Sequence, residues 1–357
     1  MMVDEIYSGS FSAYKAEEEL LSSDNSILDT TVDWESLAPV EEEAPALAKP
    51  AAVVRVSTDQ DIDSNGLADI IMAITKSTHP NRGSAGAWLI QENQTAKWGN
   101  LSTLNATSKI MGFGKTSSSK AVDDIYVYDA ATNNLGAWVT DENGKVTGWK
   151  NVNKFNDNMN VLGLGDFNAD GQTDVLLMSD YGDLGVWFTS GAKTGWKRFQ
   201  SLGKEWHIAA IGDFNGDGRD DVALTHDAGF AGCYITQADG TVKWTNLDNI
   251  KSGQKIAGAG DFNGDGVDDI LLQQGNYCGA WLVENGNAKG WMGLGNLGNG
   301  AVVEQIGDFN NDGVDDLRIR VSNGAVGALL VNGANNLEWH YYGSLGKEWE
   351  TSLAAVL

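Results

Sequence analysis

The sequence predicts an all-β fold, a β-propeller of four-stranded antiparallel blades, from three observations. An acidic loop recurs at a period near 47 residues, short β-rich runs frame every copy in the same order, and aromatic residues return at the same two runs of each unit.

The acidic loop is clearest in "GDFNGDGRDDVAL", residues 212–224. It returns as "GDFNADGQTDVLL" from Gly165, "GDFNGDGVDDILL" from Gly260 and "GDFNNDGVDDLRI" from Gly307, and more loosely as "DIDSNGLADIIM" from Asp61. The leading aspartates 166, 213, 261 and 308 follow one another at 47, 48 and 47 residues. The longer gap between Asp61 and Asp166 holds a degenerate copy, "GFGKTSSSKAVDDIYVY", from Gly112.

An apolar run precedes each loop ("VLGLG", "IAAIG", "IAGAG") and a second follows it ("DVLLM", "DVALT", "DILLQ"). A Gly-x-aromatic run such as "GAWLI" or "GVWFT" comes next, and a last run carries Trp98, Trp149, Trp196, Trp244, Trp291 or Trp339. Four short runs separated by Gly, Asn and Asp turns make one blade. Because the tryptophans recur in every unit, they read as packing between blades rather than as a sugar-binding platform.

The ends of the chain bear on the number of blades. "VDEIYSG" from Val3 matches "VDDIYVY" from Val122, and "TVDWESL" from Thr31 matches "TVKWTNL" from Thr241. "SLGKEWETSLAAVL" from Ser344 copies "SLGKEWHIAAIG" from Ser201 and stops where another acidic loop would begin. These matches predict seven blades, residues 1–37 supplying strands that complete the seventh with the C-terminal strand. Residues 38–50, "APVEEEAPALAKP", read as an acidic, proline-containing linker, and 51–357 as the propeller repeats. The alternative is six blades preceded by a disordered N-terminal arm.

In each loop, oxygen-bearing side chains fall at the first, third, fifth and ninth positions. They are Asp61, Asp63, Asn65 and Asp69; Asp166, Asn168, Asp170 and Asp174; Asp213, Asn215, Asp217 and Asp221; Asp261, Asn263, Asp265 and Asp269; and Asp308, Asn310, Asp312 and Asp316. A hard cation such as calcium takes six to eight oxygens, and alternate residues of a tight loop aim theirs at one point. The sixth residue is glycine, which permits the turn. The seventh offers its backbone carbonyl, which leaves its side chain unrestricted: Leu67, Gln172, Arg219, Val267 and Val314. An apolar twelfth position and flanking strands exclude an EF-hand, and magnesium fits less well because it holds its water. The degenerate copy, with Lys115, Ser117, Ser119 and Lys120, keeps only Asp123 and Asp124 and needs no metal. About five calcium ions per chain are expected.

With these loops, residues 52–357 resemble the FG-GAP or VCBS repeat family, calcium-binding propellers similar to the head of integrin α subunits. The resemblance implies an extracellular or cell-surface protein in adhesion or ligand binding, with the calcium loop between the first and second strands of each blade. It names no ligand.

Charge agrees with a cation partner: Lys and Arg number 24 against 49 Asp and Glu, for a net charge of −25, which repels nucleic acid and anionic membranes. The two cysteines, Cys233 and Cys278, make no disulfide framework, and no apolar run is long enough to span a bilayer. The first residues show no secretory signal, so export by another route or a place within a longer polypeptide is expected, and the protein is expected to be monomeric or part of that larger polypeptide. His79, His207, His226 and His340 form no metal pair or nucleophile motif, and no enzyme activity is expected. A lyase-like secreted enzyme and a structural spacer stand as alternatives to a module binding a glycan or a protein.

The turns after the second strands differ between blades, and variable loops on a rigid scaffold are where binding resides. They offer His79, Arg82, Tyr181, Asp183, His226, Phe230 and Tyr277 as ligand contacts.

Overall fold

The computed structural model describes residues 60–76, 78–191 and 194–351. The first blade takes β1 (Ile70–Ile74), β2 (Ser84–Ile90) and β3 (Ala96–Thr103). The second is β4 (Ser108–Gly114), β5 (Asp124–Asp129), β6 (Asn134–Thr140) and β7 (Val146–Lys154). The third is β8 (Met159–Gly165), β9 (Asp174–Ser179), β10 (Asp183–Phe188) and β11 (Gly195–Ser201). The fourth is β12 (Trp206–Gly212), β13 (Asp221–His226), β14 (Phe230–Thr236) and β15 (Val242–Asn249). The fifth is β16 (Gln254–Gly260), β17 (Asp269–Gln274), β18 (Tyr277–Glu284) and β19 (Asn287–Asn296). The sixth is β20 (Val302–Gly307), β21 (Asp316–Arg320), β22 (Ala325–Val331) and β23 (Leu337–Ser344), and β24 (Trp349–Thr351) ends the described chain.

The propeller has six blades, which corrects the expectation of seven. β24 lies beside β1, in the order β24-β1-β2-β3, with Met72 opposite Thr351 and Ile74 opposite Trp349. The C-terminal strand is therefore the inner strand of the first repeat blade and founds no additional one. The segment 1–37, assigned above to a seventh blade, and the linker 38–50 lie outside the described residues.

A chain of backbone hydrogen bonds runs from blade to blade through the loops and returns to its start. The amides of Asp123, Thr173, Asp220, Asp268 and Asp315 donate to the carbonyls of Asp61, Lys115, Asp166, Asp213 and Asp261, at 2.7–2.9 Å. Ala68 donates to Asp308 at 2.8 Å and closes the circuit between the sixth blade and the first.

Burial falls from the axis outward. In the second blade β5 is buried almost throughout, β6 is mostly buried, and β7 is largely exposed. Apolar side chains of neighbouring blades form the core: Leu162, Leu176 and Val186 of the third meet Ile208, Val222 and Leu224 of the fourth.

The tryptophans divide into two kinds. Trp138 and Trp281, on third strands, are buried in the blade-to-blade core, as expected. The outer-strand ring behaves differently: Trp98, Trp149, Trp196, Trp291 and Trp339 stay 37–49% exposed. Each lies against a glycine of its own blade's third strand. A Cβ at Gly136 would stand 2.0 Å from Trp149, so the Gly-x-aromatic motif is a slot for the indole of the next strand. Among the described residues no helix is long and apolar enough to cross a membrane.

Candidate metal centre

Each loop winds around its own first aspartate. In the fourth blade, Asp213 Oδ1 accepts from the amides of Asn215, Gly216 and Asp217 at 3.2, 2.8 and 3.2 Å, and Oδ2 from Gly218 at 2.7 Å. Gly218 has φ of 80°, the left-handed region that the turn demands. Phe214, the second residue, is buried and anchors the loop to the core, as do Phe167, Phe262, Phe309 and Ile62 in the other copies. Asn215 Oδ1 accepts from the Asp217 amide at 2.9 Å, and Asp217 Oδ1 from Arg219 at 3.0 Å.

The ninth residue staples the loop to the sheet. Asp221 is fully buried, Oδ2 accepting from the Phe214 amide at 3.0 Å and Oδ1 from Thr236 at 2.7 Å. Asp69 does the same with Ile62 and Ile90, Asp269 with Phe262 and Val283, and Asp316 with Phe309 and Val331. Burial pushes these carboxyls far up, Asp269 to about 7, Asp174 and Asp316 to about 8, and Asp221 to about 9, with neighbouring carboxylates adding to the rise. Asp69, Asp166 and Asp213 are raised for the same first reason. Several carboxyls thus share a space in which their ionised forms lack a counter-charge.

The first-blade loop gathers its acids most closely. Oxygens of Asp61, Asp63 and Asp69 lie within 4.8 Å of one another, a group able to hold a metal ion. Asp63 Oδ1 is buried without a hydrogen-bond partner, as are Asn168 Oδ1 and Asp174 Oδ2 in the third blade. Buried acceptors left over once the amides are satisfied are what a cation would use, so the residues fit calcium.

The seventh residues serve through their backbone, with one addition. Leu67, Gln172, Arg219, Val267 and Val314 each donate their amide to the fifth residue of their loop, Asn65, Asp170, Asp217, Asp265 or Asp312. Arg219 also places Nη1 3.1 Å from Asp217 Oδ2, a contact that a side chain read as unrestricted does not anticipate. In the fifth and sixth blades the third residue's side chain, through Nδ2 of Asn263 or Asn310, donates to Oδ2 of Asp265 or Asp312 at 3.0 and 2.9 Å.

The degenerate loop keeps the staple and sets a lysine ammonium beside it. Thr116 and Thr140 donate their amides to Asp124 at 3.2 and 3.0 Å, while the Lys120 ammonium bonds both Asp124 and the Thr140 carbonyl, the latter at 3.0 Å. The loop has one extra residue, so that Asp124, not Asp123, takes the stapling role.

Sequence reasoning missed the eighth residue. Asp220, Asp268 and Asp315 precede the stapling aspartates and reach into the neighbouring blade. Asp220 Oδ2 accepts from the Asp166 amide at 2.6 Å, Asp268 Oδ2 from Asp213 at 2.9 Å and Asp315 Oδ2 from Asp261 at 2.9 Å. The recurring Asp-Asp pair was the available signal, but its first member binds 54 or 55 positions away.

The proposed ligand contacts are spread over four blades. His79 Nδ1 accepts from the Asn81 amide at 3.2 Å, and Arg82 is tied to the carbonyls of Thr75 and Ala106. Tyr181 is 81% exposed, and Asp183 pairs with Arg198 at 2.7 Å. His226 stacks on Phe230 at 4.4 Å, and Trp206 meets both edge-on. Tyr277 donates to Asn335 of the sixth blade at 3.1 Å. Among the described residues of this set, His226 and Phe230 bring their rings together, and the Arg82 amide donates to the His79 carbonyl at 3.1 Å.

Comparison with known proteins bears on the repeats. The FG-GAP-like repeat family matches residues 166–224 and 213–272. The search of curated proteins returned no match. Among solved structures, a lectin of Agrocybe aegerita described as recognising non-reducing terminal N-acetylglucosamine is 17% identical, covering 78% of this chain and 76% of its own, at a TM-score of 0.49. A Lactobacillus plantarum protein and a putative 6-phosphogluconolactonase of Bacteroides uniformis are each 13% identical, covering 77% of this chain and 82% of their own, at 0.47. At these scores the likenesses carry nothing about a ligand, and the fold rests on the six sheets. The centre of the chain, residues 166–272, carries FG-GAP-like repeats.

Proposed function

We propose that this chain is a calcium-held propeller that works outside cells as a binding or adhesion module for a glycan or protein. The observation that carries the calcium reading is the Asp61, Asp63 and Asp69 group with the partnerless buried Asp63 Oδ1. The residues at positions one, three, five and nine, with the seventh carbonyl, would hold the ion. When bound it supplies the positive charge that the crowded carboxylates lack.

Extracellular-type sites bind at roughly 10⁻⁴ to 10⁻³ M, so such loops fill outside cells and stay largely empty in cytosol. The binding reading rests on the second-strand turns, which differ from blade to blade on a closed scaffold. Metal analysis of the dialysed chain should find about five calcium ions. A glycan and matrix-protein array probed with and without calcium should then give calcium-dependent binding. An array silent in both conditions would refute the binding role and leave the calcium role standing.

A further inference from the structure

We propose that Asp220, Asp268 and Asp315 are positioning residues for the metal sites of the preceding blades, so that each of these sites is completed by its neighbour. The inference rests on the calcium reading above and adds residues that are not themselves ligands.

The geometry is reciprocal. Asp268 accepts from the Asp213 amide at 2.9 Å through Oδ2, while its own amide donates to the Asp213 carbonyl at 2.8 Å. The main chain is thus gripped on both sides of Asp213, whose side chain organises the fourth-blade loop. The same clasp joins Asp220 to Asp166 at 2.6 and 2.9 Å, and Asp315 to Asp261 at 2.9 and 2.7 Å. A rotation about the backbone of the first aspartate would swing its carboxylate away from the loop centre, and the clasp blocks that rotation.

The residue before each gripped aspartate shows how closely the clasp seats. A Cβ at Gly165, Gly212 or Gly260 would stand 2.6, 2.4 or 2.7 Å from an Oδ2 of Asp220, Asp268 or Asp315. The Gly-Asp opening of the motif is therefore a receiving slot for the next blade's carboxylate. The clasp is not uniform around the ring. Thr173 Oγ1 takes the carboxylate's place toward the Lys115 amide at 2.8 Å, and Ala68 keeps only the backbone half toward Asp308.

Partners that orient metal ligands are worth about 10- to 100-fold in metal affinity. Calcium titration calorimetry on the full chain, with thermal melts, tests the assignment in Asp268→Ala, Asp268→Asn and the core variant Leu224→Ala. Asp268→Ala should weaken one site about 10-fold. Asp268→Asn, which keeps an acceptor oxygen, should stay near the parent. Leu224→Ala should lower the melting temperature without moving any calcium affinity. In a chain whose fourth-blade loop is already emptied by Asp213→Ala, adding Asp268→Ala should change calcium affinity no further. Unchanged affinities in Asp268→Ala, or an equal shift in Leu224→Ala, would overturn the proposal and leave calcium binding intact. A parent chain that binds no calcium would overturn the calcium reading and this inference with it.

Discussion

Lys120 places its ammonium on the buried carboxylate of Asp124, in the one described loop whose early acids are replaced by lysine and serine. A side chain thus supplies in the second blade the charge that the proposed ion would supply in the other loops. Lys120→Ala should destabilise the chain by about 2–3 kcal/mol, less than the roughly 3–5 of a fully buried pair because the lysine is partly exposed. The loss should persist in saturating calcium. Melts with and without calcium read both, and full rescue by calcium would show that the loop retains a metal site.

Metal-free stability should fall with rising pH. The folded-state carboxyls of Asp269, Asp174, Asp316 and Asp221 sit at about 7, 8, 8 and 9, above their ordinary value near 4. A raised folded pKa contributes stability that is complete below the ordinary value and is lost as pH climbs through the raised one. Denaturant midpoints of the chelated chain should therefore be higher at pH 5 than at pH 8. Calcium should raise the pH 8 midpoint more and release protons on binding. A chelated chain that is more stable at pH 8 would contradict this reading of the loops.

Removal of residues 346–357 should open the ring. β24 pairs with β1 at Met72, Ala73 and Ile74, and Arg320 Nη1 donates to the Trp349 carbonyl at 2.9 Å. Without that strand the edge of β1 is bare, and aggregation or a large drop in melting temperature is expected. Size-exclusion chromatography with a melt checks it; a monomer melting like the full chain would refute closure through β24.

The closing seam carries a polar cluster at its inner end. Glu304 accepts from Arg318 at 2.8 Å and pairs with Arg320 at 3.2 Å, and Arg318 is buried, its pKa lowered to about 10 by desolvation. Corresponding positions in other blades are apolar: Leu162 and Ala209 for Glu304, Leu176 and Leu271 for Arg318. Glu304→Ala should cost about 3–5 kcal/mol by stranding Arg318. Joint replacement of Glu304, Arg318 and Arg320 by Leu or Met should be neutral or stabilising. Equilibrium unfolding distinguishes these outcomes, and a large loss in the apolar triple would give the cluster a role beyond charge compensation.

The repeat, its strand order and the loop positions one, three, five, six, seven and nine were legible in the sequence because their causes are local. Apolar runs between turn residues make strands, Gly218 meets a left-handed turn, and Asp213 and Asp221 bond amides within their own loop or blade. The likeness of "SLGKEWETSL" to "SLGKEWHIAA" likewise marked the C-terminal segment as an inner strand. Which strand it joins was decided only in three dimensions, since Thr351 must choose a partner across almost the whole described chain, and the contact of Ala68 with Asp308 closes the ring at six. The roles of Asp220, Asp268 and Arg318 were hidden for the same reason. The residues that satisfy them belong to another strand or another blade, and no local pattern records a bond that exists only after the blades have packed.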